Sequence, residues 1–355
     1  MSGPLEPPYG ERDAGGMAAR IEGQPEQIEE ALARGAREPW RVPAQAPALL
    51  AVGAMGGSAI AADLAAALYR DRLPRPLLVV RDYRWPACVT KDALALLCSY
   101  SGNTEETLAL FEAAGRRGVP RVALTTGGRL GEECGRQSIA SASLPAGSPP
   151  RAAVFSIWVA ITRLLHALGW VDDPAGAWAE AAAALRAQGR ALAPRVPESA
   201  NPAKRLAGAL AGRALFVYAG SEALGAVATR FRTQLNENAK LLAHSAQVPE
   251  LNHNEIVGWE RPGAAHRQIS VLVLRDMEDA PEVARRLMLT AEYARRQGAE
   301  VHEISSGDGG RLARMASLVQ WGDYLSFYLA LLNGVDPTPI PSIDEFKRRL
   351  AESRV

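Results

Sequence analysis

The chain has 355 residues, enough for one large core but better matched to two domains. Its 40 Lys and Arg almost cancel its 39 Asp and Glu, and with no long basic block this balance argues against nucleic acid as a partner. The most apolar stretch, Ala152 to Trp170, is interrupted by Arg163 and His166 before it reaches the roughly 20 apolar residues of a membrane span, so it reads as a buried helix and no membrane partner is expected.

The chain starts MSGPLEPPYGERDAGGM, without the basic residues and apolar run of an export signal. Cys88, Cys98 and Cys134 form neither a disulfide framework nor a CxxC pair, so the expectation is a cytoplasmic protein with reduced thiols. The first 17 residues mix Pro and Gly without periodicity and predict a mobile tail, part of an N-terminal extension taken as residues 1–24. PEQIEEALARG then reads as a helix, with proline near its first turn and glycine at its end.

From Ala48 to Tyr69 an apolar strand runs into Gly56 and Gly57 and then into an alanine-rich helix. PLLVV and LALLCSY are short apolar runs without polar alternation, as in strands covered on both faces. A helix through ETLALFEAAGRRG and a strand at RVALTT continue the rhythm of a parallel sheet with crossover helices. AWAEAAAALRAQGRAL is a further helix, and PRVPESANPAKR, residues 194–205, has the composition of a linker. After it, RALFVYAGSEALGAVATRFRTQLNENAK repeats the order strand, glycine-serine turn, long helix, and QISVLVLRD and AEVHEISS are strands flanking one more helix. The predicted organisation is α/β, with a first domain over residues 25–193 and a second over 206–355 of related plan.

Chemistry gathers at the turns. CSYSGNTEET places Ser99, Ser101 and Thr104 around Gly102 between a strand and a helix, at the carboxyl edge of the sheet where open α/β folds bind ligands. Asn103 is placed to cap the following helix with Glu106 completing a capping box, which would point backbone N–H groups and the dipole's positive end at an anion. An ordinary hydroxyl-rich turn has the same composition. Gly56 and Gly57 would let backbone approach a ligand, with Ser58 adding a hydroxyl, or would only allow close helix packing. GxxxxGKS is absent, which argues against a P-loop nucleotide enzyme.

In the second half, Glu237 stands among Asn236, Asn238 and Lys240 in a predicted helix, either a base oriented by amides or part of a solvated face. His253, between Asn252 and Asn254, is a candidate proton carrier near neutral pH or a loop histidine that packs. Arg151 and Lys347 are each either anion partners or solvated cations. His166, His244, His266 and His302 form no HExxH or Cys/His group; His244 is placed near the end of the Glu237 helix, and no metal or cofactor is expected.

CSYSGNTEET resembles the phosphosugar loop of sugar isomerase (SIS) domains. Together with GAMGGSAIAAD, NENAK and LNHNEIVGW, it makes the chain resemble the bifunctional phosphoglucose/phosphomannose isomerase family from about Pro25 to Lys347. The resemblance implies two SIS-type αβα sandwich domains with mainly parallel sheets, and interconversion of glucose, fructose and mannose 6-phosphates without metal or redox cofactor. It implies phosphate contacts from Ser58, Ser99, Ser101 and Thr104, with Gly56 and Gly57 in the approaching turn. It also implies Glu237 as the base between C1 and C2, His253 as the ring-opening group, Arg151 beside the enediolate, and Lys347 as an active-site lysine. A homodimer, with the histidine supplied by the neighbouring subunit, is implied as well. A sugar-phosphate-binding regulator, or an isomerase of another phosphosugar, would share the loops but has less use for Glu237, His253 and Arg151 together.

Overall fold

The computed structural model describes residues 3–221, 223–261 and 263–353. The first half runs α1 (Met17–Glu22), α2 (Gln24–Arg37), β1 (Leu49–Ala54), α3 (Gly56–Leu68), β2 (Leu77–Val80), β3 (Ala93–Cys98), α4 (Glu105–Arg116), β4 (Arg121–Thr125), α5 (Gly128–Arg136), β5 (Ser141–Ser143), α6 (Val154–Ala167) and α7 (Ala175–Leu192). The second runs α8 (Pro202–Leu210), β6 (Ala214–Gly220), α9 (Leu224–Glu237), β7 (Ala243–Val248), β8 (Ile269–Arg275), α10 (Pro281–Arg296), β9 (Glu300–Ser305), α11 (Arg311–Leu332) and α12 (Pro341–Glu352). Both sheets are wholly parallel, in the orders β2-β1-β3-β4-β5 and β7-β6-β8-β9.

The period of two along each strand sorts side chains between two cores. Leu50, Val52, Leu94 and Leu96 point inward, and so do Leu215, Val217, Leu272 and Leu274 of the other sheet; all belong to one apolar cluster that continues from sheet to sheet. Ala95 and Leu97 face outward to Phe111 of α4, while Val271 and Val273 face outward to Leu287 of α10. Strands buried on both faces need apolar residues at every position, which is why these segments lack polar alternation. Between the sheets, α11 is buried nearly all round and packs against α7, α8 and α9.

Three local expectations are corrected. The N-terminal segment is folded onto the second half: Leu5, Met17 and Ile21 are buried, the Tyr9 ring meets Phe327 edge-on at 5.4 Å, and Glu6 pairs with Lys204 at 3.1 Å. Its apolar residues are few, and α1 packs against α11 and α2. The 194–205 stretch is also packed: Asn201 is fully buried and caps α8 by accepting from the backbone N–H groups of Ala203 and Lys204. His244 lies in β7, not in a helix. AHSAQV is polar because β7 is an edge strand, so apolar periodicity gave no sign of it.

Candidate active site

The carboxyl ends of β1 and β3, neighbours at the centre of the first sheet, lie side by side at the edge where open α/β sheets form their ligand crevice. After β1 the chain turns at Gly56, with φ +49°, and enters α3 with no side-chain cap. After β3 it turns through Ser99 to Thr104 into α4, also without a side-chain cap. The Tyr100 N–H donates to the Ser58 hydroxyl at 3.3 Å, so the two helix starts meet and both present their positive dipole ends to the crevice.

Asn103 does not cap α4, whose N-cap residue is Thr104. Its carboxamide reaches α5 instead, accepting from the Arg129 N–H at 3.2 Å and donating to the Ser101 carbonyl at 3.1 Å. Gly102, with φ +68°, makes this crossing possible: a Cβ there would lie 1.8 Å from the Gly127 carbonyl oxygen. Ser58 and Ser99 are buried, and Ser99 shares a 2.8 Å hydrogen bond with the Thr104 hydroxyl. Ser101 is exposed, with its Oγ accepting from the Asn103 N–H at 3.3 Å. The loop is therefore rigid underneath and hydroxyl-bearing on top.

Gly57 joins this loop to a cation. A Cβ at Gly57 would lie 3.0 Å from the Arg151 Cα and from the Pro150 carbonyl oxygen, so only glycine lets α3 sit flat against the Arg151 backbone. The Arg151 side chain is only 2% exposed. Its Nε donates to Asn238 Oδ1 at 2.8 Å, and its Nη2 donates to the carbonyls of Pro337 and Thr338 at 2.6 and 2.8 Å. Guanidinium carries five N–H donors, so Nη1 is the arm left over, and it faces Glu237 Oε2 at 3.6 Å. That distance is an ion pair without a short hydrogen bond. Burial pulls the Arg151 pKa below its ordinary value, Arg230 pulls the same way, and Glu237 opposes both.

Glu237 is the last residue of α9, with Asn238 as its C-cap, so it stands at a helix end and not inside a helix as expected. Lys240 follows in the left-handed region at φ +56°. Its Nζ donates to the carbonyls of Glu237, Pro337 and Pro339 at 2.6, 3.2 and 2.7 Å, which ties the end of α9 to the turn before α12. Burial, and after it the Arg151 charge, lowers the Lys240 pKa. Lys240 was visible in the sequence only as a neighbour of Glu237; its contact with the distant Pro337–Pro339 turn left no local signal.

A chain of contacts thus joins the turn of Gly56, Gly57 and Ser58, the loop of Ser99, Ser101 and Thr104, Arg151 and Glu237. It does not bring in the other two predicted residues. His253 is exposed in a short 3-10 turn beyond β7, and Lys347 is exposed on α12, whose residues are all exposed. No hydrogen bond or ion pair among the described residues links either to Glu237 or Arg151.

The family model of the bacterial phospho-glucose isomerase C-terminal SIS domain matches residues 199–350. The bifunctional phosphoglucose/phosphomannose isomerase of Caldicellulosiruptor bescii is 36% identical over 92% of this chain and 97% of its own length. The enzyme of the same name from Aquifex aeolicus is 31% identical, over 83% of this chain and 88% of its own. Among solved structures, the C-terminal domain of glucosamine-fructose-6-phosphate aminotransferase from Francisella tularensis superposes with a TM-score of 0.71 at 14% identity, covering 91% of this chain and 98% of that one, a likeness of fold.

Proposed function

The chain belongs to the bifunctional phosphoglucose/phosphomannose isomerase family, and we propose on that premise that it interconverts glucose 6-phosphate with fructose 6-phosphate, and mannose 6-phosphate with fructose 6-phosphate, in the crevice described above. The observation that carries this reading is the Nη1 arm of a buried arginine facing a carboxylate, beside two helix starts lined with hydroxyls.

The phosphate binds at the serine loop, where Ser101 and Thr104 offer hydroxyls and α3 and α4 offer backbone N–H groups. Ser58 and Ser99 fix that loop from below, and Gly56 and Gly57 keep its near wall thin. Anchoring the unreactive end of the sugar spends binding energy on orienting C1 and C2. Glu237 removes the proton from one of these carbons and returns it to the other, because a C–H beside a carbonyl needs a positioned base. The negative charge of the enediolate forms against Arg151 Nη1 in a sheltered site, where a fixed cation acts more strongly than in water.

His253 opens the sugar ring. Because it is exposed and set apart from Glu237 within one chain, this role requires a second copy to present its His253 to the crevice. The active site is thereby at a homodimer interface. Lys347 stands about two helical turns along α12, which begins just after the turn held by Arg151 and Lys240, and its role as the active-site lysine rests on the family likeness. The protein works in the cytoplasm on hexose 6-phosphates.

A coupled assay with each of the three hexose 6-phosphates tests the reading. Wild-type protein equilibrates all three, and Glu237→Gln loses about a thousandfold or more in kcat while still binding fructose 6-phosphate. Full activity in Glu237→Gln would remove the base, and a mannose 6-phosphate solution left unchanged would remove the second substrate.

A further inference from the structure

We propose that Asn238 is a positioning residue that limits Arg151 and Glu237 to a loose 3.6 Å ion pair, so that the arginine's Nη1 arm is kept for the reacting sugar. The proposal rests on the isomerase reading above. Asn238 is fully buried at the C-terminal end of α9, where a carboxamide must satisfy both of its ends. Its Oδ1 accepts from Arg151 Nε at 2.8 Å and its Nδ2 donates to Ser326 Oγ at 3.0 Å. The Ser326 hydroxyl spends its one proton on the Asp323 carbonyl at 2.9 Å, so it can only accept from Asn238. A reversed amide would face Nδ2 to the Arg151 Nε–H, donor against donor. Both neighbours therefore dictate one orientation.

The backbone of Arg151 is held by the same part of α11. Arg230 Nη2 donates to the Arg151 carbonyl at 2.8 Å and pairs with Asp323 Oδ1 at 2.9 Å. Asp323, fully enclosed, also accepts from the side-chain amides of Gln24 at 2.6 Å and Gln234 at 2.7 Å. Burial raises the Asp323 pKa, against the pull of Arg230 and of these amides. Main chain and guanidinium of Arg151 are thus referenced to one turn of α11, through Arg230 and through Asn238.

An amide suits this place better than any charged or smaller group. Aspartate would offer the same acceptor but would neutralise the cation needed by the enediolate. Alanine would release Nε, and the guanidinium could then swing onto Glu237, whose Oε2 is 3.6 Å away, and tie up the base. Asn238 keeps that pair open, a role distinct from contact with the substrate.

The test is a double-mutant cycle on the full chain with fructose 6-phosphate, reading kcat and KM separately together with thermal midpoint. Asn238→Ala is expected to lower kcat about 10- to 100-fold with KM changed by less than about threefold, since the anchored phosphate is untouched. In an Arg151→Ala background the same change is expected to cost less than about threefold in kcat, because the side chain it positions is gone. Asn238→Asp preserves shape and acceptor, so it guards against a misfolded alanine variant; it should lose kcat with its thermal midpoint close to wild type. Wild-type kcat in either single variant would overturn the proposal, as would losses that simply multiply in the double variant. Glu237→Gln in the same series separates the two readings: if it stays active, the base assignment fails, while coupling between Asn238 and Arg151 is still read from the cycle.

Discussion

The two halves of the molecule place similar crevices at similar points of their sheets and fill them with opposite chemistry. β1 and β3 are adjacent in the first sheet as β6 and β8 are in the second, and each pair is followed by loops at its carboxyl edge. After β3 come Ser99, Ser101 and Thr104, which are uncharged hydroxyls. After β8 come Asp276, Glu278 and Asp279. There Arg314, itself 2% exposed, donates through Nε to Asp276 at 2.8 Å, through Nη2 to Glu278 at 2.5 Å and through Nη1 to the Gly309 carbonyl at 2.7 Å. A cleft of about 520 Å³ lies over this cluster, walled by Arg70 and Asp71 from the end of α3 and by Arg311.

α3 and α9 explain the exchange between halves. They pack against each other in opposite directions, so the end of α9 brings Glu237 to the first crevice while the end of α3 brings Arg70 to the second, where its Nη1 donates to the Ser221 carbonyl at 2.9 Å. In the first crevice the Nη1 arm of the arginine has only a loose ion pair with Glu237; in the second, every arm of Arg314 has a short hydrogen bond. A shared sheet plan supplies the place for a ligand, and side-chain accounting decides whether an anion is welcome there.

The sharpest way to break this comparison is to give the first crevice the second one's charge. Ser101→Asp is expected to raise KM for fructose 6-phosphate about a hundredfold, since a carboxylate would face the phosphate at close range. An unchanged KM would dissociate the serine loop from phosphate binding. Next, Arg314→Met is expected to cost about 3 kcal/mol of stability, by leaving Asp276 buried without its cation, with kcat and KM unchanged. Denaturant unfolding reads the first part and the coupled assay the second; a kinetic defect would mean that the two crevices are linked.

Calorimetric titration with fructose 6-phosphate on the Glu237→Gln variant should give one site per chain, and two would show that the second crevice also takes phosphosugar. The smallest effect concerns Cys98, which lies under Ser58 in the first crevice. Burial pushes its thiol up to about 12, and that of Cys134 to about 11, so both stay protonated through pH 9. Alkylation of native protein at pH 9 should modify Cys88 alone, the exposed one, with all three reacting after denaturation. Rapid native labelling of Cys98 would mean that the floor of the first crevice opens.

Much of the fold was legible because its rules are local. Apolar runs of strand length, glycine turns after them and helices bounded by proline or glycine define both parallel sheets except β5, three residues long, and β7, a polar edge strand. The serine loop could be located the same way, although Asn103 was misread as the cap of α4, since its true partner, Arg129, is on another helix.

Within the site, the sequence by itself determined which groups are present: two glycine-serine turns, a carboxylate among amides, and an arginine after a proline pair. Only the tertiary structure decided which of them meet. Arg151 reaches Glu237 because Gly57 lets α3 lie on its backbone and because Asn238, Pro337 and Thr338 take its other donors. The same packing leaves His253 and Lys347 outside and draws Lys240 in. These outcomes depend on how distant helices stack, and periodicity along one segment carries no information about that.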